Sequence, residues 1–433
     1  MRRAVLVFAL SDPANLPLLR AIARAGDWDL YLVPPTLIEP ARAAGVVAHD
    51  AFALLDEAAA ARIRAQAEGM VRRVEACEPL LARRFSSGTR TFWPRMRGPF
   101  LRALAGVAVR TRTMSAILER IAERAGLAAV VLGFDTIAAG RAAAATARRL
   151  GVPTVHVPHG VLARPRVPMR WQGAQVFADA VCAPGPYSHA GYVAQGVRPD
   201  AVRLTGSPRW DLYAALDAAA RARCREAVAA ALGLDPAAPL VVYGATWVER
   251  GTAHSCAHQQ AALAAYRQVL EGVRRLARRR VQLVVKLHPG EWSRPSADGP
   301  SLLAGYHGVA RRAGVERVVV TAGYKTELIA AADALVVLNS NLGIEGLLCG
   351  RPVVNVPLLP VEHDCLFADE PAVVALRRLE EVGAALAAVL DDAALRARLA
   401  AAAPAAVRRY AHEPDGRASE RVAAVVAELA RAA

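Results

Sequence analysis

The chain has 433 residues, 54% hydrophobic but only 5% aromatic, with a formal net charge of +15 at pH 7. That length supports two domains with cores of their own, and no apolar run approaches the roughly 20 residues that span a bilayer, which argues against a membrane-spanning helix. Arginine supplies 52 of the 54 basic residues, leaving Lys286 and Lys325 as the only lysines, and the excess of positive charge points to anionic partners, with nucleic acid disfavoured because no recognition signature accompanies it.

The opening MRRAVLVFALSDPANL imitates a signal peptide, yet its apolar stretch is only about seven residues long and runs straight into Asp12 and Pro13. A first buried strand is the better reading. Six cysteines, Cys77, Cys182, Cys224, Cys256, Cys349 and Cys365, are scattered without a CxxC pair. That argues against a zinc site or disulfide framework, and it suits a reducing cytoplasm.

Short β-branched runs then alternate with Ala/Leu/Arg segments of helical spacing. RAVLVFAL, WDLYLV, AAVVLGF, PTVHVP and AVCAP form one series; PLVVYGA, VQLVVKLHP, RVVVTAG, ALVVLNS and PVVNVP form a second. Strand followed by helix, repeated, predicts α/β architecture with parallel sheets covered on both faces, and two series predict two doubly wound, Rossmann-like domains. Residues 1–205 form the first and 206–410 the second, with 411–433 an amphipathic helix packing back across both. Residues 51–127 interrupt the first series as a helical, arginine-rich insertion. There Phe85, Trp93 and Phe100 lie among Arg83, Arg84, Arg90, Arg95, Arg97 and Arg102. This mixture suits an anionic membrane surface or an anionic acceptor, against the plainer reading of a solvated loop over a helical core.

In an open α/β sheet the ligand crevice lies beyond the carboxyl ends of the strands, so those positions carry the candidate chemistry. After PLVVYG comes ATWVERG, where Thr246 and loop amides can meet a phosphate, with Trp247 and Arg250 able to stack or pair. After VQLVV comes KLHPGEW: His288 can donate to a phosphate oxygen or leaving group, Pro289 stiffens the turn, and Lys286 adds charge if it faces the crevice. After ALVVLN comes SNLGIEGLLCG, where Ser340 and Asn341 begin a helix with free amides, Glu345 can accept from ribose hydroxyls, and Gly350 ends the helix. In the first series, Asp135 follows VVLGF, His156 and His159 lie in HVPHG, and Asp12 follows the first strand. Asp135, His159 and Asp12 are candidate general bases, the plain rival for Asp135 being a helix N-cap.

Taken together, VVLGFDT, PTVHVPHG, RLTGSPRWD, YGATW, KLHPG and LNSNLGIEGLLCGRPVVNVP resemble the GT-B glycosyltransferase superfamily. The likeness is to bacterial capsule-type and Kdo-type sugar transferases and CDP-glycerol glycerophosphotransferases, over residues 130–360. UDP-N-acetylglucosamine 2-epimerases share the architecture. The resemblance implies a cytoplasmic, inverting transferase, peripheral to the inner membrane if it touches lipid, that moves a sugar from a nucleotide-activated donor, CMP- or CDP-linked by preference, to a glycan or lipid-linked acceptor. It implies that His288 and Pro289 contact the donor phosphate, that Ser340 and Asn341 are phosphate ligands, that Glu345 sits at the ribose, and that Thr246 lies beside the phosphates. Where many relatives carry two small hydroxyls, this chain has Ser340 followed by Asn341. No DxD-like metal site is apparent, and the resemblance implies neither metal nor cofactor, with helix amides and basic residues supplying the charge. The competing expectations are an epimerase, a polyol-phosphate transferase and a non-catalytic scaffold.

Overall fold

The computed structural model describes residues 3–161, 176–246, 253–276, 280–292, 302–315, 317–356, 366–367 and 369–433. Trp247 and Arg250, both candidate donor contacts, lie outside these residues.

Two parallel sheets organise the chain. The strands of the first half are β1 (Ala4–Phe8), β2 (Asp29–Val33), β3 (Ala48–Asp50), a small ribbon of β4 (Ser86–Ser87) and β5 (Arg90–Thr91), then β6 (Leu127–Leu132), β7 (Thr154–His156), β8 (Ala180–Ala183) and β9 (Val202–Leu204). The second half holds β10 (Leu240–Gly244), β11 (Gln282–Lys286), β12 (Val318–Thr321), β13 (Ala334–Val337), β14 (Val353–Asn355) and β15 (Val373–Ala375). The first sheet has seven strands ordered β3-β2-β1-β6-β7-β8-β9, and the second has six ordered β12-β11-β10-β13-β14-β15. In each, the strand order reverses once, between β1 and β6 and between β10 and β13, which opens a crevice at the carboxyl edge.

The composition of the runs explains their burial. All residues of β1, β6, β10 and β13 are buried, as a sheet covered on both faces requires. One face of the first sheet packs on the helices Leu16–Gly26 and Ala418–Ala432, whose Val422, Val426 and Ala430 join its core. The other face packs on Trp93–Ala125 and Ala138–Arg149 through Met114, Ile117, Leu118 and Ala143. The second sheet is covered on one face by Lys325–Ala331, Leu342–Leu348 and Ala393–Tyr410, and on the other by Ala253–Arg275 and Val382–Asp391.

The stretch 51–127 is mostly helix: Glu57–Glu75, Glu78–Arg84 and Trp93–Ala125, with the ribbon turning between the last two. Phe85 and Trp93 stack on one another, and Phe100 meets both edge-on. Trp93 lies 5.4 Å from Phe85 and 5.6 Å from Phe100 between ring centroids, and its indole N–H donates to Glu78 at 3.0 Å.

Between the sheets run the 3-10 segment Pro208–Ala215 and the helix Ala218–Leu232. Each residue of Pro208–Asp211 has a separate task. Trp210 enters the core of the second half. Arg209 reaches into the first half, where it pairs with Asp12 at 2.6 Å. Asp211 accepts from the backbone N–H of Ala418 and Ser419, both at 2.8 Å, which satisfies two free donors at the start of the last helix. The carboxyl-terminal crossing is therefore tied to the connection between the sheets.

Candidate functional site

The carboxyl ends of the central strands of the second sheet lie in register. Gly244 of β10 is paired with Lys286 of β11, and Lys286 with Thr321 of β12. Thr246 follows β10, half-buried, and the N–H of Ala245 donates to the Lys286 carbonyl at 2.9 Å. Lys286 is only 7% exposed. Its Nζ donates to the Leu287 carbonyl at 2.8 Å, and burial, reinforced by the nearby Lys325 charge, pulls its pKa down, with Glu345, Asp12 and Glu291 acting against the shift. The strand therefore turns this lysine into the site, and the only two lysines of the chain meet there.

Lys325 opens the helix Lys325–Ala331 after β12, and its Nζ pairs with Glu345 Oε1 at 3.2 Å. Glu345 is not the exposed acid of a simple capped helix. It is 3% exposed, and its second oxygen accepts from the Tyr213 hydroxyl at 2.9 Å. Both oxygens of this carboxylate therefore already have partners.

His288 lies half-buried just beyond β11. Its backbone N–H donates to Glu291 at 2.9 Å, and the other Glu291 oxygen accepts from the Tyr306 hydroxyl at 3.0 Å. Burial lifts the pKa of Glu291. The carboxylate thus holds the His288 turn in place, within the short helix Pro289–Trp292 that the exposed Pro289 opens. Burial, and then the Lys286 and Arg209 charges, lower the pKa of the His288 imidazole, which favours the neutral ring.

Asn339 turns the chain after β13 with φ +50°, a conformation asparagine tolerates better than most residues. The turn is held by its N–H donating to Asn355 Oδ1 at 2.8 Å. It presents Ser340 and Asn341 ahead of the helix Leu342–Leu348. Ser340 Oγ accepts from the Leu342 N–H at 3.3 Å. Asn341 Oδ1 accepts from the Val161 N–H in the first half at 2.9 Å, and a Cβ added at Gly160 would lie 2.1 Å from the Asn341 amide nitrogen. Asn341, a phosphate ligand in the resemblance, thus also joins the two halves across the cleft through its Oδ1.

Two residues of the first half, Asp12 and His159, lie near this edge. Asp12 is held below the usual carboxylate range: burial acts to raise its pKa, but the Arg209 and Lys325 charges and the Ala14 N–H outweigh it. The His159 carbonyl accepts from Arg209. The His159 ring, open to solvent at one side yet crowded by protein, has its pKa lowered to about 4 by burial and by the charges of Arg209, His156 and His288.

Two sequence candidates lie elsewhere. Asp135 is 2% exposed, and its carboxylate accepts from the backbone N–H of Phe177 and Ala178 at 2.7 and 3.3 Å. It neither caps the helix Ala138–Arg149, which Ile137 precedes without a side-chain cap, nor reaches the cleft as a base. It pins one loop to another. His156 is buried with Nδ1 2.9 Å from the Leu132 carbonyl, a structural position.

Arg209, Tyr213, Glu291 and Lys325 belong to the site without having been singled out as site residues from the sequence. Arg209 and Tyr213 sit in and beside the GSPRWD stretch, and Lys325 was conspicuous only as one of two lysines. Among the described residues no group of three or more His, Cys, Asp or Glu could hold a metal ion, and no helix is long and apolar enough to cross a membrane.

Residues 243–356, which carry Lys286, His288, Lys325, Ser340, Asn341 and Glu345, match the family model described as capsule polysaccharide biosynthesis protein. Solved structures similar to the whole chain include the UDP-GlcNAc 2-epimerase of Neisseria meningitidis bound to UDP-GlcNAc, with TM-score 0.58 and 11% identity, covering 98% of this chain and 100% of that one. Anabaena HepE in complex with UDP and glucose gives TM-score 0.52 at 14% identity, covering 100% of both chains. A glycosyltransferase from Rickettsia africae gives 0.55 at 9%, covering 98% of both. The fold is of the GT-B type. On it the chain carries a segment of the capsule polysaccharide biosynthesis kind, and that segment holds most of the cleft residues. No curated protein sequence matches the chain.

Proposed function

We propose that this protein is a glycosyltransferase of surface-glycan assembly, moving a sugar from a nucleotide-activated donor to a glycan or lipid-linked acceptor. The observation that carries the reading is the convergence of Lys286, His288, Lys325 and Arg209, from three separate segments, on one carboxyl-edge crevice. Such a cluster fits the phosphates of an activated donor, because cations in a partly buried site act more strongly than they do in water. The capsule-type match over the same residues and the nucleotide-sugar complexes of similarly folded proteins point the same way.

In this reading Lys286, Lys325 and His288 take the donor phosphates, Thr246 and Ser340 line their approach, Pro289 holds the His288 turn, and Glu345 exchanges a present partner for a ribose hydroxyl. His159 removes the acceptor proton as the acceptor oxygen attacks the anomeric carbon. The bond from that carbon to the phosphate oxygen breaks, and the nucleotide departs with the electron pair. A pKa of about 4 makes His159 a weak base in the free protein, and the negative donor offsets the charges that depress it. We assign the donor to the second half and the acceptor to the first, and expect no dependence on divalent metal.

The test is transfer from a nucleotide-sugar panel with and without glycan acceptors, for the wild type and for His288→Ala. Losing one donor to a developing charge costs about 10²-fold or more in turnover, with the melting temperature little changed; near-normal transfer by the variant would sink the assignment. The second reading, an epimerase, draws on the likeness along both chains to the Neisseria enzyme. Conversion of UDP-GlcNAc without any acceptor would favour it.

The helical tip supports a peripheral placement on the cytoplasmic face of a membrane. Leu80, Phe92 and Met96 are exposed by 62%, 50% and 42%, over the packed Phe85, Trp93 and Phe100. Residues 78–102 hold six arginines against one glutamate. Apolar side chains ringed by cations fit an anionic lipid surface, which would bring a lipid-linked acceptor to the first half.

A further inference from the structure

At the opposite end of the second sheet from the cleft lies a pocket of about 860 Å³, bounded by the helix Ala218–Leu232, the starts of β10, β13 and β14, and the helix Ala393–Tyr410. Four arginines line it, Arg221, Arg225, Arg351 and Arg396, against one carboxylate, Asp333. All four are half-buried, so the cluster is not a solvated face.

Their existing bonds leave the charge uncompensated. Asp333 is already used: one of its oxygens accepts from Arg225 at 2.9 Å and from the Leu240 N–H at 2.8 Å. Arg225 also donates to the carbonyls of Pro236 and Ala331, Arg221 to Leu216 and Arg396 to Val389. These are neutral acceptors. Arg351 has a buried Nε without a hydrogen-bond partner, and no ion pair of its guanidinium is found among the described residues. A buried donor left unmade is costly, and a guanidinium beside others of like charge is costlier still.

We propose that this pocket is a second anion site, taking a phosphorylated small molecule, distinct from the cleft. The guanidinium fork of Arg351 supplies paired donors that match a phosphate. Pro236, Pro239, Val389 and Leu390 offer apolar surface beside it. The volume is within the roughly 300–1,000 Å³ usual for small-molecule sites. Because the pocket abuts the starts of β10, β13 and β14, whose far ends carry the cleft residues, its occupancy would bias the same sheet from behind.

The inference does not depend on the proposed reaction. The probe is inorganic pyrophosphate at constant ionic strength, read by isothermal titration and melting temperature on the full chain. Four proteins are compared: wild type, Arg351→Gln, Arg221→Gln and the cleft variant Lys325→Gln. Saturable binding should weaken by about tenfold or more in Arg351→Gln and Arg221→Gln, the value of one charge-assisted hydrogen bond, and persist in Lys325→Gln. Arg351→Lys, which keeps the charge but not the fork, should recover only part of the loss. The proposal is overturned if wild type shows no saturable binding, if both arginine variants bind as wild type does, or if Lys325→Gln alone abolishes binding. The last result would place pyrophosphate in the cleft.

Discussion

At the scale of single residues, the fold favours the neutral ring of His159 and His288 at the cleft edge and of His156 in the core. His159 has a pKa near 4, and burial lowers those of His156 and His288 as well. In the unfolded chain these rings take up protons near pH 6.5. The folded protein refuses them until the pH is lower, so their contribution to stability is complete above about pH 6.5 and is lost as the pH falls toward about 4. Asp12, with its lowered pKa, contributes throughout that window, and its contribution is lost only at lower pH. A melting-temperature series should show a plateau above about pH 7 and a decline from about pH 6.5 downward, shallower in His159→Asn; a flat profile, or an unchanged slope in the variant, would contradict this. His288 and Ser340 were read as crevice candidates because each directly follows a buried strand, and both lie at the carboxyl edge of the second sheet; Lys286, the last residue of β11, was left dependent on the side it faces. Arg209, Tyr213 and Lys325 were not read as candidates, since a side chain's partner across 132 positions, as for Tyr213 and Glu345, leaves no periodic trace. Asp135 misled for the same reason. Following a strand is compatible with facing the cleft and with pinning a neighbouring loop, and only the fold separates the two.

At the scale of elements, one contact joining the halves is the approach of the Asn341 side chain to the backbone at Gly160. Gly160 has room for no side chain because Asn341 of the opposite half lies against it, and the bond from Val161 to Asn341 fixes the gap. Gly160→Ala should push the halves apart at this point and lower transfer by about tenfold or more, as misplacement of reacting groups does, while circular dichroism stays native; full activity would argue that the contact is dispensable. The ten β-branched runs read as strands all appear in the two sheets, whereas the three-residue edge strands β3 and β15 were not among them. The 3-10 segment Pro208–Ala215 was not read either, because its residues serve three separate neighbours rather than one apolar face. The insertion makes its own prediction. Phe92→Glu combined with Leu80→Glu should abolish co-sedimentation with phosphatidylglycerol vesicles, neutral phosphatidylcholine vesicles should bind neither protein, and salt should weaken what binds. Equal binding of wild type and variant would remove the membrane assignment.

At the scale of the whole molecule, two sheets with the same reversal of strand order face each other, and the last helix returns from the second half to complete the core of the first. Asp211 ties that helix to the interdomain segment, while the neighbouring Arg209 ties the same segment to Asp12. Movement of the halves would therefore be felt at both the cleft and the crossing. The architecture was read as two strand-helix series with a carboxyl-terminal helix packing back across both; what left no trace was the face it packs on, built by residues about 400 positions earlier such as Leu18 and Ile22. The claim that organises the whole is that Lys286, His288 and Lys325 form a nucleoside-phosphate site. It is tested most directly by the melting temperatures of wild type and Lys286→Ala with UDP, GDP, CDP and CMP. At least one nucleotide should stabilise the wild type in a saturable way and leave the variant unmoved. Stabilisation by none of them, or equal stabilisation of both proteins, would contradict it.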